Sequence, residues 1–319
     1  MTKKSLLVGY VISWSIWYYL LQQRDQGATN KFEFLSVLLT TEILKLIFCI
    51  IFALYQTRSE TSHPFRKFYY SITLQKHIGI FCAIPGFIYL LSSLVLYYHL
   101  LYFNTNLYKI ILNFGVILAG WIYQIFSKKS LPPQTWISLF LLSLAGGSIY
   151  SISTNGLEFI TFGYFISVVL LSVICNFSSI FYEYILKHER KGSIMIFNIY
   201  LYAFSIITIL GFLLLVKRNM FTYQHFFEGY SHVTWLLIAS GGVGGVLSTY
   251  VLRSFNTLFK LFLDFFCTIL VSILISGGDI FSVDALFTFF LGAIAFAVFM
   301  SKASLLQSQY LRFSNSIII

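Results

Sequence analysis

The sequence predicts an all-α membrane protein of ten transmembrane helices arranged as a 5+5 inverted repeat. Three observations carry this. Of 319 residues, 58% are hydrophobic and only 10% are charged, against about 25% charged in a soluble domain; mean hydropathy is +0.82. Apolar segments of the ~20 residues needed to cross a hydrocarbon core follow one another along the chain. Finally, an apolar stretch with a lysine inside it occurs twice. Residues 106–114 read Asn-Leu-Tyr-Lys-Ile-Ile-Leu-Asn-Phe, and residues 257–265 read Thr-Leu-Phe-Lys-Leu-Phe-Leu-Asp-Phe. Leu107, Lys109, Leu112, Asn113 and Phe114 thereby match Leu258, Lys260, Leu263, Asp264 and Phe265.

The predicted spans cover 6–22, 34–55, 77–99, 105–127, 135–153, 160–187, 194–216, 233–252, 255–277 and 283–303. An even number puts both termini on one side. With that side cytosolic, every lysine and arginine outside the spans is cytosolic except Arg24, Lys31, Lys217 and Arg218. This is the asymmetry of the positive-inside rule. The opposite side gathers Asp25, Glu33, Glu158, Glu228, Asp279 and Asp284. The net charge of +10 is therefore read as topology rather than as a nucleic-acid surface.

Span one, Ser5–Leu21, has no small-residue cleavage pattern behind it, so no cleaved signal peptide is expected. The stretch 56–76, with His63-Pro64, Arg66 and Lys67, reads as a solvated cytosolic loop. Pro85-Gly86 predicts a kink in span three. The sequon Asn176-Phe177-Ser178 lies inside span six, where glycosylation is not expected. No loop approaches the ~50 residues of a domain, so residues 1–319 form one transmembrane domain. The lysine repeat maps span four on span nine, giving repeat one as about 1–155 and repeat two as about 156–319. Five is odd, so the second repeat must sit inverted.

A lysine near mid-bilayer costs about 2.5–3.5 kcal/mol and marks a pathway or ligand site. Lys45, Lys109 and Lys260 lie within spans. Glu42 is three residues from Lys45, and Asp264 is four from Lys260, so each pair can neutralise itself on one helix face. Glu183 and Lys187 share that spacing. Lys109 has no acid in its span; one turn on lies Asn113, so an anion or water is its expected partner. Asn256 and Thr257 precede span nine, and Asn198 and Tyr202 share one face of span seven. Amide, hydroxyl and aromatic groups around cations suit a phosphorylated ligand with a ring to stack. Gly241-Gly242-Val243-Gly244-Gly245 in span eight requires close packing or a hinge.

The four cysteines, Cys49, Cys82, Cys175 and Cys267, fall inside apolar runs without metal-ligand spacing. No catalytic constellation, metal site or cofactor site is expected.

Several segments resemble one family. Thr41-Glu42-Ile43-Leu44-Lys45-Leu46 is similar to its Glu-x-x-Lys-Leu segment. Phe181-Tyr182-Glu183-Tyr184-Ile185-Leu186-Lys187 is similar to its Tyr-x-Glu-x-x-Leu-Lys, and Phe197-Asn198-Ile199-Tyr200-Leu201-Tyr202 to its Arg-Asn-Ile-Gln-x-Tyr. Gly244-Gly245 through Asn256-Thr257 to Lys260 resembles its Gly-Gly … Asp-Asn-x-x-Lys block. The resemblance is to the nucleotide-sugar transporters of the Golgi and endoplasmic reticulum, in the CMP-sialic acid, UDP-galactose and UDP-N-acetylglucosamine group. It implies that Lys45, Asn198, Tyr202, Thr249 and Lys260 line a nucleotide-sugar cavity. It also implies that a cytosolic nucleotide sugar, here a UDP-sugar, is exchanged for luminal nucleoside monophosphate. The chain departs from the pattern at Phe197, Ser92-Ser93, Asn256-Thr257 and Lys109, which stands one turn before the position of the family's span-four lysine.

The expectation is a Golgi or endoplasmic reticulum antiporter with both termini cytosolic. Lys109 and Lys260 would grip the diphosphate, Lys45 would screen the sugar-side charge or the cavity mouth, and Asn198 and Tyr202 would orient the nucleoside. The lipid bilayer is its environment; a homodimer or a glycosyltransferase is a further candidate partner, and nucleic acid is not. The alternatives are a carrier of another phosphorylated metabolite on the same fold, and a non-transporting scaffold for glycosyltransferases.

Overall fold

The computed structural model describes residues 2–23, 34–60, 63–102, 105–128, 130–153, 162–188, 192–216, 226–275 and 286–301. Among them every regular element is helical. The helices are α1 Lys3–Gln23, α2 Phe34–Glu60, α3 Pro64–Leu74, α4 Lys76–Phe81, α5 Ala83–Tyr102 and α6 Thr105–Ser127. There follow α7 Pro133–Ser153, α8 Phe162–His188, α9 Ile194–Val216, α10 His232–Ser254 and α11 Thr257–Ile275. Last comes α12, Leu286–Ser301. Among the described residues, five segments are long and apolar enough to cross a membrane: Phe34–Arg58, Ile166–His188, Ile194–Leu215, His232–Ser254 and Thr257–Leu274.

One sequence expectation needs correction. The stretch 56–76 is not a loop: α2 runs on to Glu60, and Pro64 opens α3 at its first helical position. Proline is suited there, because its missing N–H has no intrahelical partner to lose. The kink expected at Pro85-Gly86 falls beside a break in the helix of span three. The helix is interrupted at Cys82, and Pro85 falls in the first turn of α5. The sharp bend lies earlier, 67° between Pro64–Leu74 and Gly79–Val95.

The helices fall into two compact units. Unit 1 comprises Met1–Tyr97 and Phe181–Ser254; unit 2 comprises Tyr98–Ile180 and Phe255–Ile319. Each unit draws on both halves of the chain. In unit 1, α10 packs on α1 and α2, α9 packs on α2 and α4, and α3 lies against α2. In unit 2, α6 pairs with α7, and α11 packs on both.

The glycine run of α10 explains how unit 1 closes. A Cβ on Gly241 would stand 2.9 Å from Trp17, on Gly242 3.1 Å from Leu44, on Gly244 3.2 Å from Trp14, and on Gly245 2.6 Å from Lys45. The four glycines thus receive two tryptophans from α1 and two side chains from α2. Helix pairs in lipid gain no hydrophobic drive from one another and rely on such close approach. Trp14 Nε1 also donates to Ser248 Oγ at 3.1 Å, tying the same surfaces.

In unit 2 the clasp is polar. Asn176 Nδ2 donates to the Gly115 carbonyl at 3.4 Å and to Ser172 Oγ at 3.3 Å. The sequon asparagine is buried between α6 and α8, away from any glycosylating enzyme.

Gly241→Leu should lower the unfolding temperature in detergent by several degrees, reflecting overpacking of about 1–3 kcal/mol against Trp17. Gly211→Ala is the matched control. No atom lies within 4 Å of its Cβ position, so it should hold the temperature or raise it, by about 0.5–1 kcal/mol of helix propensity.

Candidate functional site

α2 carries Glu42, Lys45 and Cys49 at helical spacing, so they share one face. Lys45 Nζ donates to Glu42 Oε1 at 2.6 Å, with only 14% of the lysine side chain and 10% of the glutamate exposed. Three residues apart is one turn, which lets the helix itself hold both charges together. The ammonium also sits 5.4 Å from the ring centroid of Tyr202 on α9, a favourable approach for a cation to an aromatic face. Gly245 supplies the room for the lysine stem. Thr249, one turn further along α10, places its hydroxyl beside the Tyr202 phenol.

Asn198 lies one turn before Tyr202 and is fully buried. Its Oδ1 accepts from the Tyr182 phenol at 2.8 Å. Its amide lies beside the Cys49 thiol, yet Nδ2 makes no hydrogen bond of ordinary geometry among the described groups. A buried donor left unsatisfied costs about 1–3 kcal/mol. Such a donor is suited to an acceptor atom of a ligand. Lys45, Asn198, Tyr202 and Thr249 thus stand together in unit 1, around the cluster that contains Cys49, Tyr182 and Tyr202.

The other sequence-derived positions belong to unit 2. Lys260 Nζ donates to Asp264 Oδ2 at 3.1 Å, with side chains 18% and 28% exposed. Asn256 Oδ1 accepts the Phe259 N–H at 2.7 Å. That is an N-cap, and it commits the amide oxygen to starting α11. Thr257 begins the helix and is buried. Phe255 and Phe259 stack with centroids 4.4 Å apart and planes 9° from parallel. Lys109 and Asn113 lie on α6, and their side chains are outside the described residues. α6 and α11, the two helices bearing the duplicated lysine, are packed neighbours.

A third pair, Lys187 to Glu183 at 2.6 Å, closes the C-terminal end of α8. All three carboxylate–lysine spacings legible in the chain therefore form ion pairs. Neutralisation within one helix is the cheapest way to keep ionised groups among apolar neighbours.

For three residues around the unit 1 cluster no motif states the contact they make. Tyr182 stands in the quoted Tyr-x-Glu segment, but nothing local says that its phenol reaches α9. Cys49 reads as a small apolar filler. Gly245 reads as a packing glycine, and only the fold shows that its missing Cβ makes the berth for Lys45. The one available signal was spacing: Glu42, Lys45 and Cys49 repeat at three and four residues.

Comparison with known proteins adds the following. A family model described as nucleotide-sugar transporter matches residues 2–302. CMP-sialic acid transporter 3 of Arabidopsis thaliana is 26% identical over 257 residues, covering 76% of this chain and 62% of its own length. Probable UDP-sugar transporter protein SLC35A4 of Xenopus tropicalis is 24% identical over 274 residues, covering 82% and 81%. CMP-sialic acid transporter 5 of Oryza sativa subsp. japonica is 26% identical, covering 72% and 59%. The alignments thus span only about three fifths of the two plant relatives. A crystal structure 11% identical in sequence superposes with a TM-score of 0.65, over 96% of this chain and 99% of its own, and shows the fold alone. The relatives are transporters by name, not enzymes.

Tyr182→Phe should lower stability by about 1–3 kcal/mol, because it leaves the buried Asn198 oxygen without its donor. Thermal unfolding in detergent reads this directly. Asn198→Leu added to Tyr182→Phe should recover part of the loss, since it removes the stranded amide.

Proposed function

Because the chain belongs to the nucleotide-sugar transporter family, we propose that it is an antiporter. It would bring a cytosolic nucleotide sugar into the Golgi or endoplasmic reticulum lumen and return nucleoside monophosphate. The observation that carries the proposal is the Lys45 cluster: an ammonium held in an apolar helix, over an aromatic ring, beside a buried amide whose Nδ2 has no hydrogen-bond partner among the described residues. An exchanger needs its cations neutralised when empty and available when loaded. The carboxylate one turn away meets the first need, and a ligand phosphate that displaces it meets the second. Lys is a compact charge well matched to a phosphate oxygen.

In this reading Lys45 takes a phosphate or the sugar-side charge, and Tyr202 and Asn198 hold the nucleoside, with Thr249 supporting the phenol. Lys260 alternates between Asp264 and the diphosphate, joined by Lys109 with Asn113 one turn on. Asn256 and Thr257 set the start of α11 and thereby the height of Lys260. The chain crosses the membrane ten times with both termini cytosolic, as two inverted repeats. A UDP-sugar is the proposed cargo, supported by the name of a relative that aligns over about four fifths of both chains.

The test uses the purified protein in liposomes loaded with UMP. The paired variant Lys45→Met with Glu42→Gln removes both charges at once, so it should fold with an unfolding temperature close to that of the wild type. UDP-sugar uptake should nevertheless drop at least tenfold, about 1.4 kcal/mol or more of lost binding. Full exchange by the variant would make the pair structural only. Exchange of CMP-sialic acid for CMP in place of the uridine pair would reassign the cargo. Uptake of a sugar phosphate that ignores UMP would indicate a different phosphorylated metabolite.

A further inference from the structure

We propose that α3 is an interfacial helix whose exposed face binds anionic phospholipid headgroups at the membrane surface. The helix covers eleven residues, Pro64–Leu74, none of them buried. One side holds it to unit 1: Phe68 packs against the core cluster around Tyr182 and Phe197, and the Tyr200 hydroxyl donates to the Ile72 carbonyl at 2.8 Å. The other side is left open. Phe65 is 73% exposed, Tyr69 70%, Tyr70 62% and Leu74 64%, with the exposed Arg66 between them.

The chemistry of this face selects its occupant. Aromatic side chains interleaved with cations suit the boundary between headgroups and acyl chains, where tyrosine and phenylalanine bury their rings and basic groups reach phosphate. The surroundings are cationic as well. Arg58 at the end of α2 and Lys76 at the start of α4 are both exposed, and the sequence has no acidic residue between Glu60 and Glu158. At the same end of unit 1, Arg253 donates to the Gly192 carbonyl at 2.8 Å. Anionic lipids concentrate where such basic groups flank membrane-spanning helices.

Geometry points the same way. The 67° bend between Pro64–Leu74 and Gly79–Val95 turns α3 toward the membrane plane if the following apolar helix stands near the bilayer normal. Beyond the exposed Lys76 and His77, further exposed apolar residues follow at Ile80, Phe81, Ile84 and Phe87. The open face of α3 thus leads, through a cationic step, into a helix with an exposed apolar strip, an order of cations and apolar groups that suits a lipid surface better than a protein partner.

The test uses the full chain in nanodiscs, of phosphatidylcholine alone or with about 30% phosphatidylserine, an anionic lipid. An environment-sensitive fluorophore is placed on Tyr69→Cys, with the exposure of Cys175 removed by Cys175→Ser. Its emission should be quenched by nitroxide-labelled lipid and not by iodide. Phosphatidylserine should raise the wild-type unfolding temperature by about 2–4 °C. Arg66→Gln combined with Lys76→Gln should abolish that rise, and Arg66→Lys should preserve it. Quenching by iodide, or a phosphatidylserine effect that survives in the double variant, would overturn the proposal. Neither readout depends on which nucleotide the protein carries.

Discussion

An ionised amine cannot stand alone among apolar helices, and the architecture of unit 1 follows from that constraint. Lys45 has Glu42 one turn below it, the face of Tyr202 beneath its charge, and a glycine where any larger residue would push its stem aside. Each element of the unit answers one part of the problem: α2 brings the acid, α9 the ring, α10 the space. The desolvation of two charges is offset only when their partners are held in place, and the glycine-lined contacts of α10 with α1 and α2 provide the holding.

The same logic, with different parts, operates in unit 2. Lys260 is neutralised by Asp264 one turn on, and the start of its helix is fixed by the Asn256 cap. This pair is looser and more exposed than the one on α2. In the proposed exchange each of the two lysines passes between its protein carboxylate and a travelling anion, so each carboxylate must be able to yield.

Much of this was legible in the chain. The lysine–acid spacings at Glu42–Lys45, Glu183–Lys187 and Lys260–Asp264 are local, and a helix converts such spacing into contact without help from tertiary structure. The five helices of membrane length were legible because apolar length is set by the bilayer rather than by the fold. The stretch 56–76 misled because polar and charged residues near a span end resemble a loop. Its aromatic residues at Phe65, Phe68 and Tyr69 carry a helical period that hydropathy averaging hides. Contacts between distant segments were not legible. That Tyr182 bonds Asn198, or that Gly245 berths Lys45, depends on which helices become neighbours, and no local pattern states it. The gathering of Lys45, Asn198, Tyr202 and Thr249 in one unit, and of Lys109, Asn113, Asn256, Thr257 and Lys260 in the other, cuts across the boundary of the sequence repeat for the same reason.

The central claim is that the Lys45 ammonium exchanges Glu42 for a phosphate when the proposed nucleotide binds. Nitrogen NMR of lysine-labelled protein in nanodiscs, with the Lys45 signal assigned by its loss in Lys45→Met, observes that atom. The account predicts that UMP or CMP shifts the Lys45 Nζ resonance and that uridine or cytidine does not. A resonance unmoved by nucleotide at concentrations that support exchange, or moved equally by nucleoside and nucleotide, would contradict it.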